Sequence, residues 1–125
     1  MGDIQRYVQL LMDADFRMRE SAVEILHHAG HLTEEVVAQL TTILETDSSE
    51  KVRRAAVEAL TAANPDNFFD ILVECLDDND YIVRGRAFTA ITKCLPCWRE
   101  DVRVQGFIEH ETHPYPLWCI GNASE

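Results

Sequence analysis

Apolar residues recur at helical spacing along most of the chain. Ile4, Val8 and Leu11 share one helical face, as do Val36, Val37, Leu40, Ile43 and Leu44, and further on Phe69, Leu72, Cys75 and Leu76. Between these runs, a second set places its apolar residues at i, i+4 and i+8: Met18/Ala22/Leu26, Val52/Ala56/Leu60 and Val83/Ala87/Ile91. Both spacings fit a period of about 3.6 residues. No run alternates with period two, so the pattern predicts helices and no strand. Asp15, Asp47 or Ser48, and Asp80 stand where an N-cap is needed, and Glu34 and Glu35 suit a first helical turn. Gly30 and the Asn64-Pro65 pair end the helices before them.

The second set is one segment written three times. Met18-Arg19-Glu20-Ser21-Ala22-Val23-Glu24-Ile25-Leu26, Val52-Arg53-Arg54-Ala55-Ala56-Val57-Glu58-Ala59-Leu60 and Val83-Arg84-Gly85-Arg86-Ala87-Phe88-Thr89-Ala90-Ile91 align without gaps. An acidic turn precedes each copy: Asp13-Ala14-Asp15, Thr46-Asp47-Ser48-Ser49-Glu50 and Asp77-Asp78-Asn79-Asp80. The small alanine at the centre of each stripe lets neighbouring helices approach closely. A single helix pair cannot bury both of its apolar faces, whereas stacked pairs bury a continuous core.

The pattern Leu44-x-x-Asp47-x-x-x-x-Val52-Arg53-x-x-Ala56-Val57-x-x-Leu60 resembles a HEAT repeat, specifically the short HEAT-like type associated with phycobilisome lyases. The resemblance runs over about residues 4 to 94, and Gly85 departs from it where a helix former is usual. It implies an all-α, right-handed α-α solenoid of about three helix pairs, at residues 4–30, 33–63 and 66–94, in a single domain. Residues 95–125 would then form a C-terminal capping segment. The resemblance also implies that Arg19, Arg53 and Arg84 form a ladder between units with Asp15, Asp47 and Asp80, and that the second helices line a concave face. A protein partner would bind that face through Glu20, Glu24, Lys51, Arg54, Glu58, Arg86, Thr89 and Lys93.

Charge narrows the class of partner. The chain carries 22 acidic and 11 basic residues, a formal −11 over 125 residues. Eight of the basic residues lie in the second-helix segments, but Glu20, Glu24 and Glu58 interrupt them, and the net charge opposes binding to nucleic acid. Charges also break every apolar run well short of a membrane span, and the N-terminus carries no secretory pattern. Four cysteines are too few for a disulfide scaffold, so free thiols in a cytoplasmic setting are expected. The expected function is a non-catalytic protein-interaction module without cofactor. The alternatives are an accessory subunit of an enzyme such as a bilin lyase, or an acidic inhibitor that masks a basic partner.

Two local features bear on chemistry. Cys94, Cys97, His110 and His113 are spaced C-x2-C-x12-H-x2-H, one residue short of the usual zinc-finger histidine pair. They are the only candidate metal ligands, and no metal is expected, because Trp98 to Glu109 lacks a finger's ββα order. A redox role for the C-x-x-C pair would want a preceding strand, and none is predicted. In the tail, Val102, Val104, Phe107 and Ile108 suggest one more short helix, after which the prolines of His113-Pro114-Tyr115-Pro116-Leu117-Trp118 predict extended chain. Phe107, Tyr115, Leu117 and Trp118 would cap the last apolar face; the competing reading is an exposed aromatic patch that recruits a partner or a second copy.

Overall fold

The computed structural model describes residues 2–94 and 96–123, and the chain divides into two compact units, 1–63 and 64–125. Eight α-helices are present among the described residues, with no strand.

The first unit holds two helix pairs: α1 (Gly2–Leu10) with α2 (Phe16–His28), and α3 (Glu34–Thr46) with α4 (Glu50–Ala63). Helix α2 packs against both α1 and α4, and α3 packs against α4. Asp15 caps α2 by accepting from the Arg17 N–H, and Thr33 caps α3 by accepting from the Val36 N–H. Gly30 ends α2 at φ +70°, which only glycine adopts without strain. His31 N–H then donates to Leu26 C=O and Gly30 N–H to His27 C=O, the two bonds of a Schellman closure. Asp47 takes a different role from the expected cap. It ends α3, and its carboxylate accepts from Ser49 N–H two residues on.

The predicted stripes form this unit's core. Ala22, Leu26, Val52, Ala56 and Leu60 are fully buried, as is Leu40 of α3. Met18 departs from its stripe and is 43 % exposed, where the equivalent Val52 and Val83 are fully buried.

The second unit opens with a 3₁₀ turn, Pro65–Phe68, then α5 (Phe69–Glu74) and a second 3₁₀ turn, Cys75–Asp77. Helix α6 (Tyr81–Ile91) follows, then a third 3₁₀ turn, Pro96–Glu100, then α7 (Val102–His110) and α8 (Pro114–Gly121). Helix α6 is the hub, packed on α5 and on α8. Phe88 of α6 meets Trp98 edge-on at 5.7 Å and stacks with Phe107 of α7 at 5.6 Å. Val104, Ala87 and Ile91 are fully buried.

Residues 114–118 are helical, not extended. Pro114 and Pro116 both fall in the first turn of α8, where backbone N–H groups have no partner within the helix and nothing is lost by removing them. The pre-proline preference survives one residue earlier, at His113, which is extended (φ −79°, ψ 138°) and caps the helix. Helices α7 and α8 thus follow α6 as two further helices, α8 packed on α6, and the sequence pattern alone does not show α8. Of the four residues expected to cap the core, Phe107 and Tyr115 are half-buried, while Leu117 and Trp118 are 43 % and 64 % exposed.

Candidate functional site

An acidic residue opens the turn before each of α2, α4, α6 and α8. Asp13, Asp47, Asp78 and Glu111 each accept a hydrogen bond from the backbone N–H two residues on, at 2.8–2.9 Å. Six residues after the first three stands an arginine whose guanidinium donates back to that residue's carbonyl: Arg19 to Asp13 at 2.7 Å, Arg53 to Asp47 at 2.7 Å and Arg84 to Asp78 at 3.0 Å. The guanidinium's fork then reaches forward. Arg19 grips the Asp47 carboxylate at 2.8 and 2.9 Å, and Arg84 grips Glu111 at 2.9 and 3.1 Å. A bidentate pair of this kind fixes orientation as well as distance.

Both acids are enclosed, with 5 % of each side chain exposed, against 14 % for Arg19 and 19 % for Arg84. Burial alone would raise the Glu111 carboxyl, but the Arg84 hydrogen bonds and the His113 N–H outweigh it and hold it below the usual carboxylate range. The Asp47 carboxylate likewise raises Arg19. The arginine ladder is therefore a framework element. Its acids differ from expectation in two places: Asp15 is held by Arg17 in an exposed pair, and the partner of Arg84 is Glu111, which the sequence reading did not single out. The six-residue spacing from acid to arginine was the available signal, and at Glu111 it is broken because residue 117 is leucine.

The eight residues expected to bind a partner lie on or just after the second helices. In the first unit, Glu24, Lys51 and Glu58 are exposed, and Glu20 and Arg54 are half-buried. They belong to the packed pair α2 and α4, with the Lys51 ammonium 5.9 Å from the Phe16 ring. In the second unit, Thr89 and Lys93 are exposed, and Arg86 is half-buried. Arg86 sits beside Tyr115, whose phenol is pushed up by burial and by the Cys119 thiol and drawn back by the Arg86 charge.

Gly85 has a packing role. A Cβ there would lie on the Tyr115 ring and 3.2 Å from Cys119 Sγ, so glycine is what lets α8 approach α6.

The four candidate metal ligands are dispersed among other tasks. His113 Nδ1 accepts from Tyr115 N–H at 3.2 Å, and its ring stacks on Tyr81 at 3.8 Å. His110 Nδ1 lies 2.8 Å from Gly106 C=O in the last turn of α7. Cys97 is exposed in the third 3₁₀ turn, and Cys94 is half-buried just beyond α6. Among the described residues, no three histidine, cysteine or acidic side chains gather as a metal site.

The surface of the described residues includes open depressions in both units. One in the first unit, about 470 Å³, is lined by Phe16, Arg19, Ser48, Ser49 and Lys51 among others. One in the second unit, about 450 Å³, is lined by Leu76, Asp77, Val102, Arg103, Phe107 and His110 among others. Arg103 is held by Asp101 and Asp70, at 2.9 and 3.0 Å.

Helix pairs with fully buried central alanines, joined by an acid–arginine ladder, define an α-α repeat protein. The chain belongs to the HEAT-repeat family: residues 4–92 match HEAT repeats. No curated protein matches the chain significantly. HEAT repeats serve in general as protein-interaction scaffolds and are typically non-catalytic. No helix among the described residues is long and apolar enough to cross a membrane.

Proposed function

We propose that this chain is a non-catalytic, cytoplasmic protein-binding module that engages its partner through the second-helix face. The contact residues are Glu20 and Glu24 on α2, Lys51, Arg54 and Glu58 on α4, and Arg86, Thr89 and Lys93 on and after α6. One observation carries the reading. Arg19 and Arg84 are bound to backbone carbonyls and enclosed carboxylates and Arg53 to a backbone carbonyl, while Glu24, Lys51, Glu58, Thr89 and Lys93 stand exposed on the second-helix segments. The four cysteines form no disulfide with one another, which fits a reducing compartment.

The face carries both signs of charge, which suits a protein with a complementary mixed pattern more than a polyanion. Affinity capture from the native host tests this, using the parent, a Glu24→Lys/Glu58→Lys double variant and a Glu35→Lys control on the exposed side of α3. The partner should be retained by parent and control, and lost with the double variant. A partner captured equally by all three proteins refutes the assignment.

A further inference from the structure

His113 is a helix cap whose acceptor a single proton removes. Of the first three residues of α8, Pro114 and Pro116 have no N–H, so Tyr115 carries the only backbone donor there. Leu117 N–H already donates to His113 C=O at 3.1 Å. The Tyr115 N–H needs a partner outside the helix, and it donates to His113 Nδ1 at 3.2 Å. An imidazole nitrogen accepts only while it carries no hydrogen, so this bond requires neutral His113 with its proton on Nε2. In the imidazolium both nitrogens are donors, and no rotation of the ring can supply another acceptor. The ring is half-buried and lies flat on Tyr81, with centroids 3.8 Å apart and planes 14° apart.

Two other histidines are placed the opposite way. His28 and His110 stand in the last turns of α2 and α7, each with Nδ1 2.8 Å from a backbone carbonyl, Glu24 C=O and Gly106 C=O. A charged ring keeps such a bond, and its charge suits a helix C-terminus. At His113 the same charge would meet a helix N-terminus, where it is disfavoured. The neighbours of His113 do not offset this. Glu111 accepts from the His113 N–H at 2.8 Å, but the Arg84 fork already holds both of its carboxylate oxygens. From α6 come the Tyr81 face, which suits a cation, and Arg84, which opposes one, while Asp80 is engaged in capping α6 through Val83 N–H. Farther along, Arg86 lies beside Tyr115 and the Cys119 thiol of α8. None of these groups returns an acceptor to the Tyr115 N–H. A helix of two turns depends heavily on its cap. We propose that protonation of His113 uncaps α8 and loosens it from α6, which makes the close contact of Tyr115 and Cys119 over Gly85 sensitive to pH. The contact is complete above the range where imidazoles ordinarily titrate, near pH 6.5, and weakens below it. The device lies wholly within the second unit and is independent of the binding face.

Amide hydrogen exchange read by mass spectrometry on the whole chain, at about pH 7.5 and about pH 5.5, is the test once each rate is corrected for intrinsic exchange. Protection in peptides covering α8 should fall about fivefold at the lower pH, the factor typical of losing an N-cap. Peptides covering α4, which has no histidine, should keep theirs within about twofold. His113→Asn retains a capping oxygen that does not titrate, so its α8 protection should be the same at both pH values. If that variant fails to fold, the nitrogen-15 shifts of the parent's His113 ring decide: at the higher pH, Nδ1 should be bare and Nε2 protonated. A parent whose α8 protection does not change, an equal fall in His113→Asn, an equal fall in α4, or a neutral His113 ring with its proton on Nδ1 would each overturn the proposal.

Discussion

Gly85→Ala separates helix propensity from packing in a single methyl group. Position 85 lies inside α6, where alanine is favoured over glycine by about 1 kcal/mol on propensity alone. The new Cβ, however, meets Tyr115, with Cδ2 at 2.6 Å, and Cys119 Sγ at 3.2 Å. The ring cannot simply swing away. Tyr115 is half-buried in the first turn of α8, and Tyr81 packs edge-on against it at 6.5 Å. Relief therefore requires α8 to move off α6, an overpacking strain of about 1–3 kcal/mol. The net expectation is a loss of about 1 kcal/mol, within a range of roughly 0 to 2 kcal/mol once the propensity gain is subtracted. Gly106→Ala supplies the opposite sign in the same unit, because a Cβ there has nothing within 4 Å and α7 keeps its geometry. That variant should gain about 1 kcal/mol. Urea unfolding followed by tryptophan emission reads the second unit directly, since Trp98 and Trp118 both lie in it. If Gly85→Ala stabilises as much as Gly106→Ala, the close approach of α8 to α6 is wrong.

Ala56→Leu should destabilise by about 1–3 kcal/mol, because Ala56 is fully buried at the centre of its stripe; an unchanged urea midpoint would contradict that packing. Arg84→Ala strips an enclosed carboxylate of its cation and should cost about 1–3 kcal/mol, whereas Lys51→Ala, at an exposed side chain, should cost under about 0.5 kcal/mol; calorimetric melting of both variants orders them. Glu111 is held below its ordinary carboxyl value when folded, so its contribution is complete above the unfolded value near 4.5 and fades as pH falls through the folded one. Acid titration of stability should accordingly be shallower in Glu111→Gln than in the parent below about pH 5, and parallel curves would remove Glu111 from the acid response.

Periodicity alone determined the six helices of residues 4–94, their stop at Gly30 and the burial of Ala22, Ala56 and Ala87, because one apolar stripe per helix leaves a single way to face a core. The same local physics placed Asp15 and Asp80 as caps, since N-capping involves only residues two or three apart. What needed tertiary structure was every contact spanning a repeat. The bond from Arg19 to Asp47 joins residues 28 apart and that from Arg84 to Glu111 joins residues 27 apart, so no local rule could choose among the many acids of this chain. Gly85 reads in sequence as a weak helix residue, and only the Tyr115 ring above it gives a reason for the missing side chain. Helix α8 was hidden for a related reason. Its prolines argue against helix wherever N–H groups are needed, and the His113 cap is what assigns them to the first turn, where those groups are not. The candidate binding face divides the same way: the chain's pattern selects the second-helix positions, and packing decides that Glu24, Lys51 and Glu58 reach solvent while Arg54 and Arg86 are half-buried.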